Sequence, residues 1–327
     1  FGVFSLGEKK SILIEQPDAC RPGRFGTLLQ HTPTGEGQRR AMAGPEHGFS
    51  GLTKRDLLDM VAEPKRVLQR ARGASKAPFS KRLLWDAVPR PHFAYGMYHG
   101  ADQARALGLE AVSVLEFGVA GGNGLVAMEE LGREITAELG VRIDIYGFDT
   151  GSGMPEPQDY RDMAYVWQPG EFEMDLAALE ARLTTAQLVL GNVADTVPTF
   201  VEQFSPAPIA FCSFDLDYHS STVAAFGLFE HDAAAFLPRV YCYLDDVVGN
   251  DIEIHTPFTG ELAAVEEFNA AHDHRKIAKI HGLHWKRPVP AVWNDQIFAF
   301  QIFDHPQFDT HIQPSRETEF QLRDDPA

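Results

Sequence analysis

The chain has 327 residues, of which 44% are hydrophobic, and 29 Lys and Arg oppose 46 Asp and Glu, for a formal net charge of -17. This hydrophobic content excludes an intrinsically disordered chain, and the length allows one large core or two unequal domains. The acidic balance argues against a nucleic-acid partner, because phosphates are bound by basic surfaces.

The sequence has no segment typical of a membrane span or a secretory signal. No apolar run approaches the ~20 residues that a membrane helix needs, and the first residues lack a basic stretch followed by an apolar one. Cys20, Cys212 and Cys242 have neither metal-type nor redox-type spacing, and their odd number argues against a disulfide framework. We therefore expect a soluble cytoplasmic protein without a membrane partner.

The first 92 residues differ from the rest in charge and pattern. They hold 16 Lys and Arg against 9 Asp and Glu, whereas residues 93–327 hold 13 against 37. Residues 1–50 predict mostly loop, and the apolar positions from Thr53 to Trp85 recur near helical spacing. We predict that residues 1–92 form a helical and loop cap or an oligomer contact on an acidic domain, 93–327, and that the protein is a homo-oligomer.

A glycine-rich turn follows the first predicted strand. A helix at Ala101–Leu107 leads to the apolar run 114–117, which ends in a turn with glycines at 118, 121, 122 and 124 and then a helix to about Leu139. Glycine lets the backbone turn sharply and approach a ligand, and the helix offers free N–H groups. The spacing is not G-x-G-x-x-G, because position 120 is Ala, so a smaller nucleoside cofactor fits better than a dinucleotide. The candidate cofactor residues here are Glu116, Gly118, Gly121 and Gly122.

A second strand, Ile143–Phe148, ends in Asp149 and Thr150, and an acid at this position can accept hydrogen bonds from ribose hydroxyls. Residues 150–174 then form a long aromatic-rich segment without regular period, which predicts either a substrate lid or an aromatic plug on the sheet edge. Leu188–Leu190 is a third strand, and its turn carries Asn192 and Val193.

Two further apolar strands, Ile209–Phe214 and Val240–Leu244, are separated by a predicted helix, Thr222–Phe236. After a helix at Gly260–Ala271, the last two strands are joined without a helix, which predicts an antiparallel hairpin. Strands that alternate with helices predict an α/β fold with a doubly wound, mostly parallel, Rossmann-like sheet.

Acidic residues follow both of these strands. Asp215 and Asp217 follow one strand, and Asp245 and Asp246 follow the other. If the strands are neighbours, four carboxyl groups gather at one sheet edge, where a hard divalent cation or bound protons must relieve their repulsion. We predict Mg²⁺, although Asp217 and Asp246 also fit simple helix caps.

Four segments, in this order, resemble the macrocin O-methyltransferase branch of the class I S-adenosylmethionine-dependent methyltransferases. They are 116–122, 146–155, 215–222 and 244–246, and the resemblance covers about residues 93–327. It implies the class I methyltransferase fold and S-adenosylmethionine as cofactor. The implied cofactor residues are those of the glycine turn together with Asp149, Thr150, Asn192, Val193 and Asp215.

The resemblance also implies roles for the acidic residues. It makes Asp215, Asp245 and Asp246 the Mg²⁺ ligands and Asp217 the catalytic base. His219 stands where the family usually has tyrosine, and an imidazole titrates near neutral pH, so His219 is a rival catalytic base or a partner of one. A histidine that is merely hydrogen-bonded on the first turn of a helix fits the pattern equally well.

The function expected from these features is O-methylation of a hydroxyl on a sugar, a glycosylated compound or another small secondary metabolite. One alternative is a nicotinamide-dependent oxidoreductase, which the glycine spacing and the lack of a Tyr-x-x-x-Lys set disfavour. The other is a non-catalytic cofactor-binding partner protein, which has no need for four carboxylates at one sheet edge.

Overall fold

A computed structural model describes residues 76–313 of the chain. Its centre is a seven-stranded sheet with the spatial order β3-β2-β1-β4-β5-β7-β6. The strands are β1 (Ala111–Phe117), β2 (Arg142–Asp149), β3 (Gln187–Leu190), β4 (Ile209–Phe214), β5 (Phe236–Leu244), β6 (Arg275–Lys279) and β7 (Ile297–Ile302). Strands β1 to β5 pair in parallel, and β7 is antiparallel to both β5 and β6. The predicted mostly parallel sheet with an antiparallel C-terminal pair is confirmed. The connection from β6 to β7, predicted without a helix, contains the short helix Leu283–Lys286 and the 3₁₀ turn Val292–Asp295.

Helices connect the strands and cover both faces of the sheet, as right-handed crossovers between parallel strands require. They are α1 (Phe79–Leu84), α2 (Pro91–Ala106), α3 (Asn123–Leu139), α4 (Leu176–Glu180), α5 (Val193–Phe204), α6 (His219–Phe226), α7 (Gly260–Ala271) and α8 (Leu283–Lys286). No helix in the described range is both long and apolar enough to cross a bilayer.

The core has one apolar cluster on each face of the sheet. Strand β1 shows the division, because successive side chains of a strand point to opposite faces. Val112 and Val114 belong to the cluster under α2 and α3, whereas Leu115 and Phe117 belong to the cluster rich in phenylalanine on the other face. All four side chains are fully buried, so β1 is the centre of the fold and its carboxyl end is held rigidly.

Helix α2 begins ten residues before the predicted helix at Ala101–Leu107. Pro91 occupies its first turn, where a missing N–H costs nothing and the fixed φ suits a helix. The predicted domain boundary after residue 92 falls inside this helix, and Phe79 of α1 is buried in the core. Residues 1–75 lie outside the described residues, so the cap and homo-oligomer stay predictions.

The helix predicted at Thr222–Phe236 is shorter than expected. Helix α6 ends at Phe226, and two 3₁₀ turns, Gly227–Glu230 and Ala233–Ala235, lead into β5. The Asp232 side chain accepts a hydrogen bond from the Ala234 N–H (2.8 Å) and so starts a new turn there. Strand β5 therefore begins four residues before the predicted strand.

Candidate active site

A cavity of about 350 Å³ lies at the carboxyl ends of the parallel strands. Strands β1 and β4 are neighbours but lead to opposite sides of the sheet, which is the switch point where open α/β sheets bind ligands. The residues that line the cavity include six predicted cofactor residues, Gly118, Asp149, Thr150, Asn192, Val193 and Asp215. They also include the predicted acidic residues Asp217, Asp245 and Asp246. Glu116, Gly121 and Gly122 do not line it.

Two glycines of the turn, Gly118 and Gly122, combine a left-handed backbone with a close neighbour. Gly118 has a φ of +86°, and a Cβ there would lie 1.8 Å from the carbonyl oxygen of Asp215. Gly122 has a φ of +75°, and a Cβ there would lie 2.2 Å from Leu179 Cδ1. No atom lies within 4 Å of a Cβ at Gly121. Gly118 thus lets β1 and β4 approach each other at the edge of the cavity.

Asp149 fixes the conformation of this turn. Its Oδ2 accepts hydrogen bonds from the N–H groups of Val119 (2.9 Å) and Ala120 (2.8 Å), and its Oδ1 accepts one from Gly151 N–H (2.7 Å). A carboxylate has about four lone-pair sites, so one site on Oδ1 stays available to a ribose hydroxyl. The predicted ribose contact is therefore compatible with a second task for Asp149, which is to hold the turn.

The other predicted cofactor residues along this side form the wall of the cavity. The Thr150 hydroxyl donates to the carbonyl oxygen of Gly153 (2.7 Å), so it stabilises the following loop. Asn192 is the N-cap of α5, since its Oδ1 accepts a hydrogen bond from Ala194 N–H (2.9 Å). Val193 is buried and gives an apolar surface beside them.

Glu116 lies beneath the turn and not in the cavity. A Cβ at Gly124 would lie 1.7 Å from its Oε1, so the carboxyl group packs directly against the first turn of α3. Its Oε2 has no hydrogen-bond partner within the described part of the chain. Burial raises the pKa of Glu116 well above its usual range, which favours the protonated form of this side chain.

Three carboxyl groups meet at the acidic end of the cavity. One oxygen from each of Asp215, Asp217 and Asp246 lies within 4.8 Å of the other two. Burial, and then the neighbouring charges, raises the pKa of Asp215 to about 8 and that of Asp217 to about 7. The same causes raise the pKa of Asp246 well above its usual value. Crowded oxygen donors of this kind suit a hard divalent cation, which would replace the protons.

The backbone at Asp217 brings this group together. Asp217 has a φ of +58°, the left-handed conformation that Asp tolerates better than most residues. Its N–H donates to Asp246 Oδ2 (2.8 Å). Together with the hydrogen bond from Asp245 N–H to the carbonyl oxygen of Phe214 (3.0 Å), this contact joins the end of β4 to the end of β5.

Asp245 lies outside the three-carboxyl group, although it lines the same cavity. Its Oδ1 accepts a hydrogen bond from the hydroxyl of Tyr243, and its backbone carbonyl accepts one from Gln296 Nε2 (2.8 Å). The sequence placed Asp245 among the ligands and Asp217 apart from them. The structure instead groups Asp217 with Asp215 and Asp246.

Two acids near this group were missed from the sequence, Glu253, which lines the cavity, and Glu261. Glu261, in the first turn of α7, is completely buried, and its Oε2 accepts a hydrogen bond from the N–H of Asp246 (3.1 Å). Burial and the nearby aspartates raise its pKa well above the usual value. No motif signals it, because its position depends on how α7 packs against the end of β5.

His219 does not line the cavity. Its Nε2 lies 3.0 Å from Glu267 Oε2, and Glu267 also pairs with Arg161 of the 150–174 loop (2.5 Å). His219 is the first residue of α6 and is buried there. This geometry is that of a hydrogen-bonded histidine on a first helix turn, and it links the helix to the loop.

The 150–174 loop covers the cavity and is anchored to α6. Asp162, fully buried, accepts hydrogen bonds from Ser220 N–H (2.7 Å) and from the Ser220 hydroxyl (2.9 Å). Trp167 and Phe172 line the cavity, and the buried Trp167 Nε1 has no partner among residues 76–313. The loop therefore forms a fixed aromatic wall with one unused hydrogen-bond donor.

Comparison with known proteins gives structural similarity alone. No protein-family model matches the chain, and no curated protein matches it. Among solved structures, the calicheamicin methyltransferase CalS11 is 20% identical, with 81% of this chain and 100% of that chain covered and a TM-score of 0.43. The O-methyltransferase NovP is 16% identical, with 64% and 79% covered and a TM-score of 0.45. MycE, a methyltransferase from the mycinamycin biosynthetic pathway in complex with Mg and SAH, is 14% identical, with 78% and 62% covered and a TM-score of 0.35.

Similarity at this level of identity concerns the fold and does not transfer an activity. The strand order, with an antiparallel β7 between β5 and β6, is the Rossmann-like sheet that the resemblance to class I methyltransferases implies. The function is argued below from the cavity itself.

Proposed function

We propose that this chain is an S-adenosylmethionine-dependent O-methyltransferase. The observation that supports the proposal best is a single cavity with two chemically different ends. The glycine turn, Asp149 and Asn192 offer a nucleoside site at one end, and Asp215 and Asp217 offer carboxylates at the other. The acceptor we propose is a hydroxyl of a sugar, a glycosylated compound or another small secondary metabolite.

The acidic end fits a divalent cation such as Mg²⁺, because its donors are crowded carboxylate oxygens. Asp215 and Asp246 are the proposed ligands, and Asp217 lies close enough to share in binding. A cation there would lower the pKa of an acceptor hydroxyl and neutralise the aspartates.

Asp217 is the proposed proton acceptor. In the cation-free site, burial and then the neighbouring carboxylates raise its pKa to about 7, and a bound cation would lower that pKa. S-adenosylmethionine held at the glycine turn, Asp149 and Asn192 would supply the methyl group, and Asp217 would take the proton of the acceptor hydroxyl. Trp167 lines the cavity, and its buried indole N–H, which has no partner among residues 76–313, is the proposed donor to a second acceptor oxygen.

The two alternatives account for fewer of these features. A nicotinamide-dependent oxidoreductase gains nothing from three crowded carboxyl groups, and a dinucleotide would bring two phosphates towards them. A non-catalytic binding protein would keep buried acids that destabilise the fold when ionised.

Isothermal titration calorimetry tests the proposal directly. We expect S-adenosylmethionine and S-adenosylhomocysteine to bind with one site per chain, and NAD to give no binding heat. Binding of NAD without binding of either methionine-derived ligand would make the oxidoreductase the correct assignment.

Asp149→Ala is expected to weaken S-adenosylhomocysteine binding by about 1.5–3 kcal/mol, because a charge-assisted acceptor for the ribose is lost. The loss also releases the N–H groups of Val119 and Ala120. Calorimetry measures the affinity, and Asp144→Ala on the same strand, where Asp144 pairs with Arg142 (3.1 Å), is the matched control. Equal affinities of Asp149→Ala and the wild type would remove Asp149 from the cofactor site.

A further inference from the structure

Helix α2 runs antiparallel to β5 and so brings its N-terminal end to the cavity side of the sheet. Towards the end of α2, Gln103 Nε2 donates to the carbonyl oxygen of Arg239 near the start of β5 (2.7 Å). Near its start, the ring of Phe93 lies edge-on to that of Tyr243 near the end of β5 (5.7 Å). Arg90, which directly precedes the helix, therefore lies at the carboxyl edge.

The Arg90 side chain is a positioned cation with unused donors. Its Cζ lies 5.2 Å from the centroid of the Phe93 ring, and Phe93 is itself buried. Within residues 76–313 its guanidinium has no hydrogen bond or ion pair, so its N–H groups remain available. Stacking on an aromatic face leaves the edge of a guanidinium open for a planar anion.

The groups around Arg90 leave its charge uncompensated. Burial keeps the pKa of Glu116 well above its usual range, although the Arg90 charge opposes this rise. The pKa of His92 is lowered to about 3, mainly by burial and then by Arg90. Both shifts favour the neutral form of these neighbours, so they do not compensate the positive charge of Arg90 beside the acidic cavity.

We propose that Arg90 binds the α-carboxylate of the methionine moiety of the cofactor. This inference rests on the proposed function. With the nucleoside at Asp149 and Asn192, on the β2 and β3 side, the amino-acid end of the cofactor extends towards β4. There its carboxylate approaches the aspartates at the ends of β4 and β5, and the Arg90 guanidinium can bind it through two parallel hydrogen bonds.

The test compares two ligands that share the nucleoside but differ in the amino-acid end. S-adenosylhomocysteine has the carboxylate, and 5′-methylthioadenosine lacks it. Calorimetry with the full chain should show that Arg90→Gln lowers the affinity for S-adenosylhomocysteine about 10–100-fold and leaves that for 5′-methylthioadenosine unchanged. Arg105→Gln, at the opposite end of α2 and paired with Asp102 (2.6 Å), is the matched control and should change neither affinity.

Arg90→Lys keeps the positive charge and loses the planar fork. We expect this variant to lower the affinity for S-adenosylhomocysteine severalfold and to leave the affinity for 5′-methylthioadenosine unchanged. It provides a second test should Arg90→Gln disturb folding. If the Arg90 variants lost equal affinity for both ligands, or lost affinity for neither, the assignment of Arg90 would be overturned. Failure of the wild-type chain to bind S-adenosylhomocysteine would instead remove the proposed function, so the two failures are distinguishable.

Discussion

Asp217→Asn is expected to lower the rate of methyl transfer about 10²–10⁴-fold, the usual contribution of a group that takes a proton in the transition state. An amide has nearly the same shape and cannot accept the hydroxyl proton. The affinity for S-adenosylhomocysteine should stay nearly unchanged, because Asp217 lies at the acceptor end of the cavity. Single-turnover rates and calorimetry on the same preparation measure the two quantities.

His219→Ala is the control that separates the two predicted catalytic bases. The imidazole contacts Glu267 and lies outside the cavity, so its loss loosens the link to Arg161 and the 150–174 loop. We expect a loss of only a few-fold, mainly in the KM of the acceptor. A rate loss for His219→Ala as large as that for Asp217→Asn would reverse the assignment.

The second large effect concerns the cation. Activity should disappear after exhaustive chelation and return with Mg²⁺, because the acceptor hydroxyl then again lies beside a charge that lowers its pKa. Asp246→Asn should prevent the return and keep cofactor binding. Asp245→Asn, a cavity residue outside the three-carboxyl group, should retain Mg²⁺ binding. Full activity in the chelated protein would contradict a role for any cation.

Thermal unfolding gives a readout of the same site without an acceptor. Burial raises the pKa of Asp215 from 3.8 to about 8, so the folded state favours its protonated form. The resulting stability is fully present below pH 3.8 and is lost as the pH rises through about 8. Without a cation, the melting temperature should therefore fall between about pH 4 and 8 as Asp215 and Asp217 ionise.

Added Mg²⁺ should raise the melting temperature more at high pH than at low pH, because protons compete for the same oxygens. Asp215→Asn removes one titrating group and should flatten the fall of stability with pH. It should also reduce the effect of Mg²⁺. An equal Mg²⁺ shift in Asp215→Asn and the wild type would place the cation elsewhere.

The sequence could not predict which of the two acids, Asp217 or Asp245, belongs to the three-carboxyl group. That each acid follows a strand is visible from the apolar run before it, since each run is a local pattern, whereas the pairing of the two strands is seen only in the structure. Which carboxyl turns inward is decided by the left-handed backbone of Asp217 and by the Tyr243 hydroxyl that engages Asp245. Neither has a signal in the chain, because φ at one residue follows from the packing of several elements.

Glu261 and Arg90 were not predicted as site residues at all. Each lies in a segment without a recognisable motif, and each is separated in the chain from the strand end beside which it lies. The packing of α7 places Glu261 under Asp246, and the antiparallel course of α2 places Arg90 at the carboxyl edge.

By itself the sequence determined the order of strands and helices, the glycine turn, and the aspartates at the strand ends. These features depend on periodicity and on residues that are neighbours in the chain, so short segments of the sequence are enough to predict them. Tertiary structure alone decided which acids converge, that His219 pairs with Glu267 and not with the cavity, and that Glu116 lies beneath the turn. The reason is that each of these positions is fixed by contacts between residues distant in the chain, and such contacts form only when the sheet and its helices pack together.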